Sequence, residues 1–480
     1  MVFSSETFLF LFLPLFLCIY YLTPAKGRSM VILFASYLFY GWWRFDFLLL
    51  LFATTLWTFC IGLLIAKNLD TPRAKIWCTV GVMGCLAVLG VFKYLNFFID
   101  SLAQLFGTDA AGLGVHWRLI LPIGVSFYVF HSISYLVDVT RKDADATLKF
   151  FDFAAFIALF PQLVAGPILR FKDLADQFKH RTHSLVLFAD GLALFIVGLG
   201  KKVLLADTVA PLADIAFNTP DPSAALSWLG SVAYMMQLYF DFSGYSDMAV
   251  GLGLMMGFHF RKNFDMPYIS RSITEFWRRW HISLSVWLRD YLYIPLGGNR
   301  VGPGRTYVNL MIVMVLGGLW HGANGTFLAW GIWHGAWLAI ERATGWANRS
   351  SFIGLVQTLL LVLIGWVAFR AVDMNQAMDV YAGMIGLHGF AIPMDIAFQI
   401  SGESLVMLVI AMIYCAAEPR INRIGKDLYF APQGGIGVSS NGTLTAATSL
   451  LPVAVVSLIA MLAIMKLAEA SFSPFLYFQF

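Results

Sequence analysis

Residues 307–341 read YVNLMIVMVLGGLWHGANGTFLAWGIWHGAWLAIE, in which the short segment HGANG separates two apolar runs. The runs 307–320 and 326–341 fall short of the roughly 20 residues that cross a bilayer of about 30 Å. His321 follows the first run directly, so we expect it at membrane depth or at the floor of a cavity. The segment therefore predicts a helical membrane protein with tilted or broken spans.

The composition of the whole chain indicates that lipid surrounds most of it. Hydrophobic residues make up 59% of the 480 residues and charged residues 12%, against roughly 25% charged in a typical globular protein. This excludes a cytosolic enzyme, a disulfide-stapled secreted domain and a disordered chain. A net charge of +4 without a long basic run also argues against nucleic-acid binding. We predict an all-α, polytopic membrane protein.

Apolar runs recur along the chain as expected for a multi-pass protein. They lie near residues 6–23, 29–43, 46–66, 75–92, 117–139, 184–200, 223–241, 307–320, 326–341, 352–371, 404–417 and 446–468. A further stretch, 150–169, is interrupted by Pro161, Gly166 and Pro167, which predicts a re-entrant segment. No internal repeat or low-complexity linker divides the sequence, so we expect a single membrane domain over 1–480.

Basic residues in short loops predict the orientation of the chain. Loop 100–116 contains no Lys or Arg, whereas segments 141–181 and 261–300 contain several. We therefore expect the N-terminus and loop 100–116 outside, and the two basic segments in the cytoplasm.

The five cysteines argue against disulfide and metal chemistry. Their number is odd, they lie in apolar stretches, and no CxxC pair occurs. We expect them to be small buried hydrophobic residues and expect no metal site.

Segment 276–300 reads FWRRWHISLSVWLRDYLYIPLGGNR. On one continuous helix at 100° per residue, its large apolar side chains fall within a sector of about 80°, and its basic ones adjoin them. The apolar sector consists of Trp277, Trp280, Leu284, Trp287 and Tyr291, and the basic sector of Arg278, His281, Ser285 and Arg289. This predicts an interfacial amphipathic helix whose arginines touch lipid headgroups. Lipid anchoring does not explain His281, a titratable group between the two faces.

His321 and His334 are candidate functional residues because ionisable groups inside a membrane are costly. Gly322, Asn324 and Gly325 are expected to break the helix between them. The two histidines lie thirteen residues apart, so we do not expect them to act as a pair on one face.

Segment 238–258 carries Asp241, Ser243 and Tyr245 at the predicted end of a span. These side chains could orient a histidine, cap a helix or line a polar funnel. The sequence contains no HExxH, GxSxG or nucleotide-binding glycine loop, so zinc proteolysis, Ser-His-Asp hydrolysis and ATP hydrolysis have no support.

Together, FWRRWHISLSVWLRDYLYIPLGGNR and GGLWHGAN (317–324) resemble the membrane-bound O-acyltransferase family. The branch they resemble serves bacterial exopolysaccharide acetylation. Residues 1–16, 121–139, 160–174 and 239–249 resemble it too. The likeness covers most of 1–345 and weakens in 375–445. We therefore expect a catalytic core in 1–345 followed by C-terminal helices in 346–480.

The resemblance implies a fold and a pair of catalytic residues. The fold would be a ring of about eleven to twelve tilted transmembrane helices, with re-entrant and interfacial helices, around a thin funnel-shaped core. His321 matches the family's tunnel histidine and His281 its upstream partner, forty residues earlier. His334 matches a second WHG motif whose role is open.

The resemblance also implies substrates, partners and a location. Acetyl-CoA would be the cytoplasmic donor, with no bound cofactor. Arg278 and Arg289 could hold its phosphates, and the donor site could also include Asp241, Ser243, Tyr245, Asn324 and His334. Acetyl groups would cross the bacterial inner membrane to periplasmic or membrane-anchored acetyltransferase partners of a polysaccharide secretion complex.

Several alternatives stay open at the level of sequence. The polymer could be alginate, our first expectation, or cellulose, and a D-alanylation-type transfer is a further option. From other classes, a secondary transporter would use the histidines as a proton relay, and a membrane scaffold would not need His321. A transporter usually has two-fold repeats, and we find none.

Overall fold

The computed structural model describes residues 1–164, 166–348, 351–428 and 450–469. Within these ranges the chain forms helices and loops and no β-strand. The all-α fold class predicted from the sequence is confirmed. Part of the divergent stretch 375–445, residues 429–445, and the start of the last predicted apolar run, 446–449, lie outside the described residues.

A series of α-helices makes up most of the described residues. They are α1 Leu13–Leu22, α2 Arg28–Gly41, α3 Phe47–Lys67, α4 Arg73–Leu89, α5 Leu95–Leu105, α6 Val125–Thr140, α7 Phe150–Ala158, α8 Phe160–Leu163, α9 Phe171–Lys179, α10 Leu185–Gly200, α11 Asp207–Asn218, α12 Ala224–Met255, α13 Ile273–Arg279, α14 Ile282–Leu288, α15 Pro303–His321, α16 Gly325–Thr344, α17 Phe352–Arg370, α18 Met374–Met384, α19 Met394–Ala397, α20 Gly402–Leu428 and α21 Leu450–Glu469.

Some helices are joined by π-helical turns, which are rare and often mark functional sites. In the described ranges these turns are Thr7–Phe12, Gly90–Tyr94, Lys201–Ala206 and Arg289–Tyr293. Lys93 and Lys202, in the second and third of these turns, contact α15 and α12, whereas Arg289 in the last turn bonds to its neighbour Asp290.

Four helical stretches of the described chain are long and apolar enough to cross a membrane: Phe47–Lys67, Arg73–Leu105, Phe352–Arg370 and Gly402–Ile421. Many large apolar side chains on the outer surface are exposed, as expected for a protein that faces lipid. Other apolar helices, such as α1, α2 and α10, are shorter, in line with tilted and broken spans. The count of eleven to twelve spans stays a prediction.

Several segments differ in detail from the apolar runs of the sequence. The predicted run 117–139 begins late, at Val125, because Pro122 and the left-handed Gly124 hold the preceding chain in an irregular conformation. Stretch 150–169 is broken into α7 and α8, as expected of a re-entrant segment. Cys18 and Cys60 are exposed on the outer surface, so the expectation that all cysteines are buried is wrong.

The longest helix, α12, forms the centre of the fold. Its 32 residues are mostly buried, and it packs against α10, α11, α17, α18 and α20. The sequence placed Asp241 and Tyr245 at the end of a span, but the helix continues to Met255. The helix continues past these polar residues because buried residues of other elements contact their side chains.

Two pairs of glycines bring α10 and α12 into backbone contact. A Cβ atom at Gly191 would lie 2.6 Å from the carbonyl oxygen of Gly251, and one at Gly198 would lie 2.5 Å from that of Gly244. The reverse contacts are equally close. Both pairs are spaced by seven residues, or two helical turns. We call Gly191, Gly198, Gly244 and Gly251 the glycine seam, and small residues of this kind allow close helix packing in membranes.

Helices α15 and α16 form a hairpin that carries His321 at its turn. A Cβ atom at Gly318 would lie 2.3 Å from the carbonyl oxygen of Phe327, and one at Gly331 would lie 2.6 Å from that of Met314. The hairpin packs on α17, and α13 packs against both α16 and α17. The turn of the hairpin is therefore held close to the segment that carries His281.

Candidate active site

The chain changes direction at His281. Helix α13 ends before Trp280, whose backbone is extended, and His281 has φ 44° and ψ 54° in the left-handed region. The backbone N–H of Ile282 donates to the carbonyl oxygen of Asn263 at 2.9 Å, and that of Ser283 donates to Asn263 Oδ1 at 3.2 Å. The prediction of one continuous amphipathic helix over this segment is therefore wrong, because contacts with the distant Asn263 stabilise a kink.

Three of the five large apolar side chains of this segment are buried within protein. Trp280, Leu284 and Trp287 are all less than 9% exposed. The Trp287 ring stacks on Phe130 at 3.7 Å between centroids, and its Nε1 donates to the carbonyl oxygen of Phe130 at 3.1 Å. These three side chains therefore do not act as headgroup anchors.

The kink brings His281 next to His321. The centroids of the two imidazole rings are 6.4 Å apart, and both side chains are buried. His321 is the last residue of α15, where Gly322 ends the helix. Two residues forty positions apart in sequence thus meet inside the protein. A group of a few atoms between them could contact both rings.

Aromatic side chains enclose the two histidines. Trp330 lies 5.4 Å from the His321 ring and Phe369 5.1 Å, both edge-on, and Phe242 lies 4.8 Å from the His281 ring. A pocket of about 10 Å³, close to the volume that one water molecule requires, opens at His321. Its lining consists of Leu238, Phe242, Trp280, His321, Trp366 and Phe369. The site is therefore apolar and tightly enclosed.

Lys93 supports the end of the helix that carries His321. Its ammonium group donates to the carbonyl oxygen of Trp320 and, at 3.3 Å, to that of His321. Lys93 also lies 5.7 Å from the centre of the Trp320 ring. Sequence reasoning missed this residue because the predicted run 75–92 stops one position before it. Its position inside an apolar region could have identified Lys93 as a candidate functional residue, because ionisable groups are costly there.

His334 lies in the next layer of side chains. Its ring is 5.0 Å from Trp330 and 5.3 Å from Trp277, and Trp330 also contacts His321. His334 is fully buried and does not line the pocket at His321. The expectation that the two histidines do not form a direct pair agrees with this arrangement.

The polar residues of α12 lie away from the pocket. Asp241 forms an ion pair with Lys202 at 2.8 Å, and the Tyr245 ring stacks on Phe3 at 4.5 Å. Ser243 is buried and does not line the pocket either. Leu238 and Phe242, one helical turn apart, occupy the α12 face that does. The sequence analysis selected the polar side chains of α12 and missed Leu238 and Phe242. The only sequence feature that could have indicated them is their four-residue spacing, which places both on one helix face.

Asn324 has a structural role at the hairpin turn. Its side chain accepts a hydrogen bond from the backbone N–H of Thr326 and so caps α16. Its amide also donates to the carbonyl oxygen of Val372 at 2.6 Å. The predicted break between α15 and α16 is confirmed. A donor-binding role has no support in these contacts, because both bonds join parts of the protein.

The two candidate phosphate-binding arginines have different surroundings. Arg278 is exposed and lines a polar cavity of about 380 Å³, together with Asp265, Ser272, Thr274, Glu275, Arg279 and Ala347. Arg289 does not line this cavity, and its Nε donates to Asp290 at 2.7 Å. Asp290 also binds Arg170. The shared basic face predicted from helical spacing is wrong, because the break at His281 separates the two side chains.

Comparison with known proteins places the chain in a family. Residues 96–367 match the sequence model of the membrane-bound O-acyltransferase family. The chain belongs to this family. It is therefore an acyltransferase, and the transporter and scaffold alternatives are set aside.

Individual relatives of this acyltransferase cover its whole length. It is 51% identical to a probable alginate O-acetylase of Azotobacter vinelandii and 50% identical to that of Pseudomonas putida, over all of each chain. A peptidoglycan O-acetyltransferase of Helicobacter pylori is 34% identical over 82% of this chain and 81% of its own. The names of all three relatives describe O-acetylation.

Proposed function

We propose that this acyltransferase transfers acetyl groups from acetyl-CoA toward the hydroxyl groups of an exported polysaccharide, with alginate as the polymer. The observation that carries the proposal is the pair His281 and His321, whose rings lie 6.4 Å apart in an enclosed apolar site. The O-acetylation named for the full-length relatives supports the reaction type, and the alginate in their names supports the polymer.

His321 is the proposed general base. It takes the proton of the acceptor hydroxyl group while the hydroxyl oxygen bonds to the thioester carbonyl carbon. The carbon–sulfur bond then breaks, and the proton passes from His321 to the sulfur, so that CoA leaves as a thiol. An acyl-imidazole intermediate on His321 is the alternative route to the same products.

His281 is the proposed partner that stabilises the transition state. Negative charge develops on the carbonyl oxygen during acyl transfer, and a fixed hydrogen-bond donor in an apolar site stabilises it strongly. The side chain lies close enough to His321 for one carbonyl group to contact both rings. Chemistry that uses both histidines explains why two costly imidazoles lie in this apolar region.

The surroundings favour a short acyl group and an anionic donor. The pocket at His321 has room for a group of about the size of a water molecule, so its walls must move apart to admit even an acetyl group. Arg278 borders a polar cavity that could receive donor phosphates. We place this cavity on the cytoplasmic side and the protein in the bacterial inner membrane, and acetylated partner proteins would complete the transfer in the periplasm.

Proteoliposomes that contain the purified protein would test this function. We expect release of CoA from externally added acetyl-CoA, faster when the secretion-complex partner or an alginate oligomer is present. His321→Ala should abolish this release, and His180→Ala, at an exposed position, serves as the matched control. Equal release by both variants would contradict the proposal. Replacing alginate with cellulose oligomers distinguishes the two polymers.

A further inference from the structure

Asn263 holds the imidazole of His281 through a single oxygen atom. His281 Nδ1 lies 3.2 Å from Asn263 Oδ1, and both side chains are buried. The same oxygen accepts from the backbone N–H of Ser283 at 3.2 Å and from the Ser283 hydroxyl group at 2.9 Å. Asn263 lies eighteen residues before His281, in the loop that follows α12.

The bond from the Ser283 backbone fixes the orientation of the Asn263 amide. A backbone N–H can only donate, so the atom that faces it must be the carbonyl oxygen and not the NH₂ group. The opposite orientation would place two donors against each other. His281 Nδ1 faces this oxygen at 3.2 Å and the Ser283 hydroxyl oxygen at 3.5 Å. Because the Ser283 hydroxyl already donates its proton to Asn263 Oδ1, Nδ1 faces two acceptors and must carry a proton.

This assignment settles the state of the other nitrogen. In a neutral imidazole only one nitrogen carries a proton, so Nε2 of neutral His281 has a free lone pair. Among the residues that the structure describes, this buried Nε2 has no hydrogen-bond partner. A neutral His281 therefore accepts a hydrogen bond at Nε2, and it can donate one there only after it gains a second proton.

We propose that Asn263 is a positioning residue that fixes the Nδ1–H tautomer of His281. The role of His281 in acetyl transfer rests on the function proposed above, whereas the tautomer itself does not depend on it. In that reaction the Nδ1–H of His281 remains bonded to Asn263, so Nε2 is the nitrogen that can face the thioester carbonyl group. A neutral His281 cannot serve as the donor.

The kink provides a second reason why Asn263 matters for this histidine. The Asn263 backbone carbonyl oxygen accepts from Ile282 at 2.9 Å, so main chain and side chain hold both sides of the left-handed residue. The Ser283 hydroxyl also accepts from the backbone N–H of Ile168, which ties the irregular segment before α9 to the same cluster. Ring orientation and tautomer are therefore fixed together.

Nitrogen-15 NMR of the histidine-labelled protein tests the tautomer directly, without any substrate. The difference between the spectra of the parent protein and His281→Gln isolates the His281 signals from those of the other eight histidines. We expect a protonated Nδ1 and an unprotonated Nε2 in the neutral form. A proton on Nε2 of neutral parental His281 would overturn the proposal.

Variants of Asn263 then test its effect on turnover of acetyl-CoA. Asn263→Ala should lower kcat about 10- to 100-fold, as residues that orient a reactive side chain typically do, with KM unchanged. It should also allow the Nε2–H tautomer. Asn263→Asp keeps an acceptor and should restore kcat and the Nδ1–H signal. Parental kcat per folded molecule in Asn263→Ala would count against the proposal.

Asn309→Ala is the matched control for loss of a buried asparagine. Asn309 is fully buried, and its amide donates to the carbonyl oxygens of Leu296 and Gly298. This variant should be less stable while its His281 signals remain parental, and a changed tautomer would mean that general loosening is the cause. Absent turnover by a parent with the expected tautomer would contradict the proposed function but not the role of Asn263.

Discussion

The ammonium group of Lys93 donates a hydrogen bond to the backbone carbonyl oxygen of His321, over 3.3 Å. His321 is the last residue of α15, so the lysine lies at the negative end of the helix dipole. The hydrogen bonds of Lys93 to the carbonyl oxygens of Trp320 and His321 thus stabilise the turn that positions the proposed base.

Replacement of Lys93 should therefore affect both stability and activity. Lys93→Met should lower stability by about 1–3 kcal/mol, the cost of leaving a buried hydrogen-bonding group without its partner, and should reduce acetyl transfer severalfold. Thermal unfolding in detergent and acetyl-CoA turnover measure the two effects. Lys67→Met, at the exposed end of α3, is the control. Equal effects in both variants would contradict a specific role for Lys93.

The two histidines should differ in their tolerance of substitution. His321→Ala should lower acetyl transfer about 10²- to 10⁴-fold, the usual contribution of a positioned base. His281→Asn should be milder than His281→Ala, because an amide keeps a donor and Asn adopts the left-handed conformation of position 281 more readily. The double variant His281→Ala/His321→Ala should lose little more than His321→Ala, since residues that act together are not additive.

Transfer to the partner, normalised to protein in the membrane, measures these effects. Near-parental transfer by His321→Ala would remove the base from the mechanism. Independent, multiplicative losses in the double variant would mean that the two rings act in separate steps.

The arginines should separate in their effect on the donor. Arg278→Ala should raise the KM for acetyl-CoA, because Arg278 borders the polar cavity. Arg289→Ala should raise it less, because Arg289 is bonded to Asp290 outside that cavity. Initial rates over a range of acetyl-CoA concentrations give both values. An unchanged KM in Arg278→Ala would favour the lipid-anchor interpretation of this residue.

Ionised Asp290 should stabilise the protein at neutral pH, and this stabilisation should be lost at acid pH. Burial alone would raise the pKa of Asp290, but the hydrogen bond and charge of Arg289 and the charge of Arg170 outweigh it and hold the pKa below its usual range. A lowered pKa contributes stability above the unfolded value of about 4, which is lost as the pH falls through the folded value. Asp290→Asn should remove this acid-side loss and lower the melting temperature at pH 7.

Melting temperatures between about pH 3 and 7 measure this dependence. The control is Asp395→Asn, which changes an exposed carboxylate. If the melting temperature of Asp290→Asn falls with decreasing pH as steeply as that of the parent protein, groups other than Asp290 cause the acid sensitivity.

The sequence predicted the membrane class, the break after His321 and the broken segment 150–169, because these features depend on local composition and on Gly, Asn and Pro. Resemblance, rather than spacing, linked His281 to His321. The kink at His281 could not be predicted from its own helix pattern, because it depends on Asn263, eighteen residues away. Burial by distant elements likewise explains why Asp241 lies in mid-helix and pairs with Lys202.

The glycine seam limits which parts of the protein can move during turnover. Sliding α12 along α10 by one residue would replace a glycine with a side chain against a backbone carbonyl at both contacts, where even a Cβ atom has no room. Only a step of two full turns would bring one glycine opposite another again, and such a step would disrupt every other contact of α12. The two helices therefore behave as one rigid body, which carries Leu238 and Phe242 of the pocket wall with it. We therefore expect the pocket to open by movement of Trp280, α15 and α17 relative to this body.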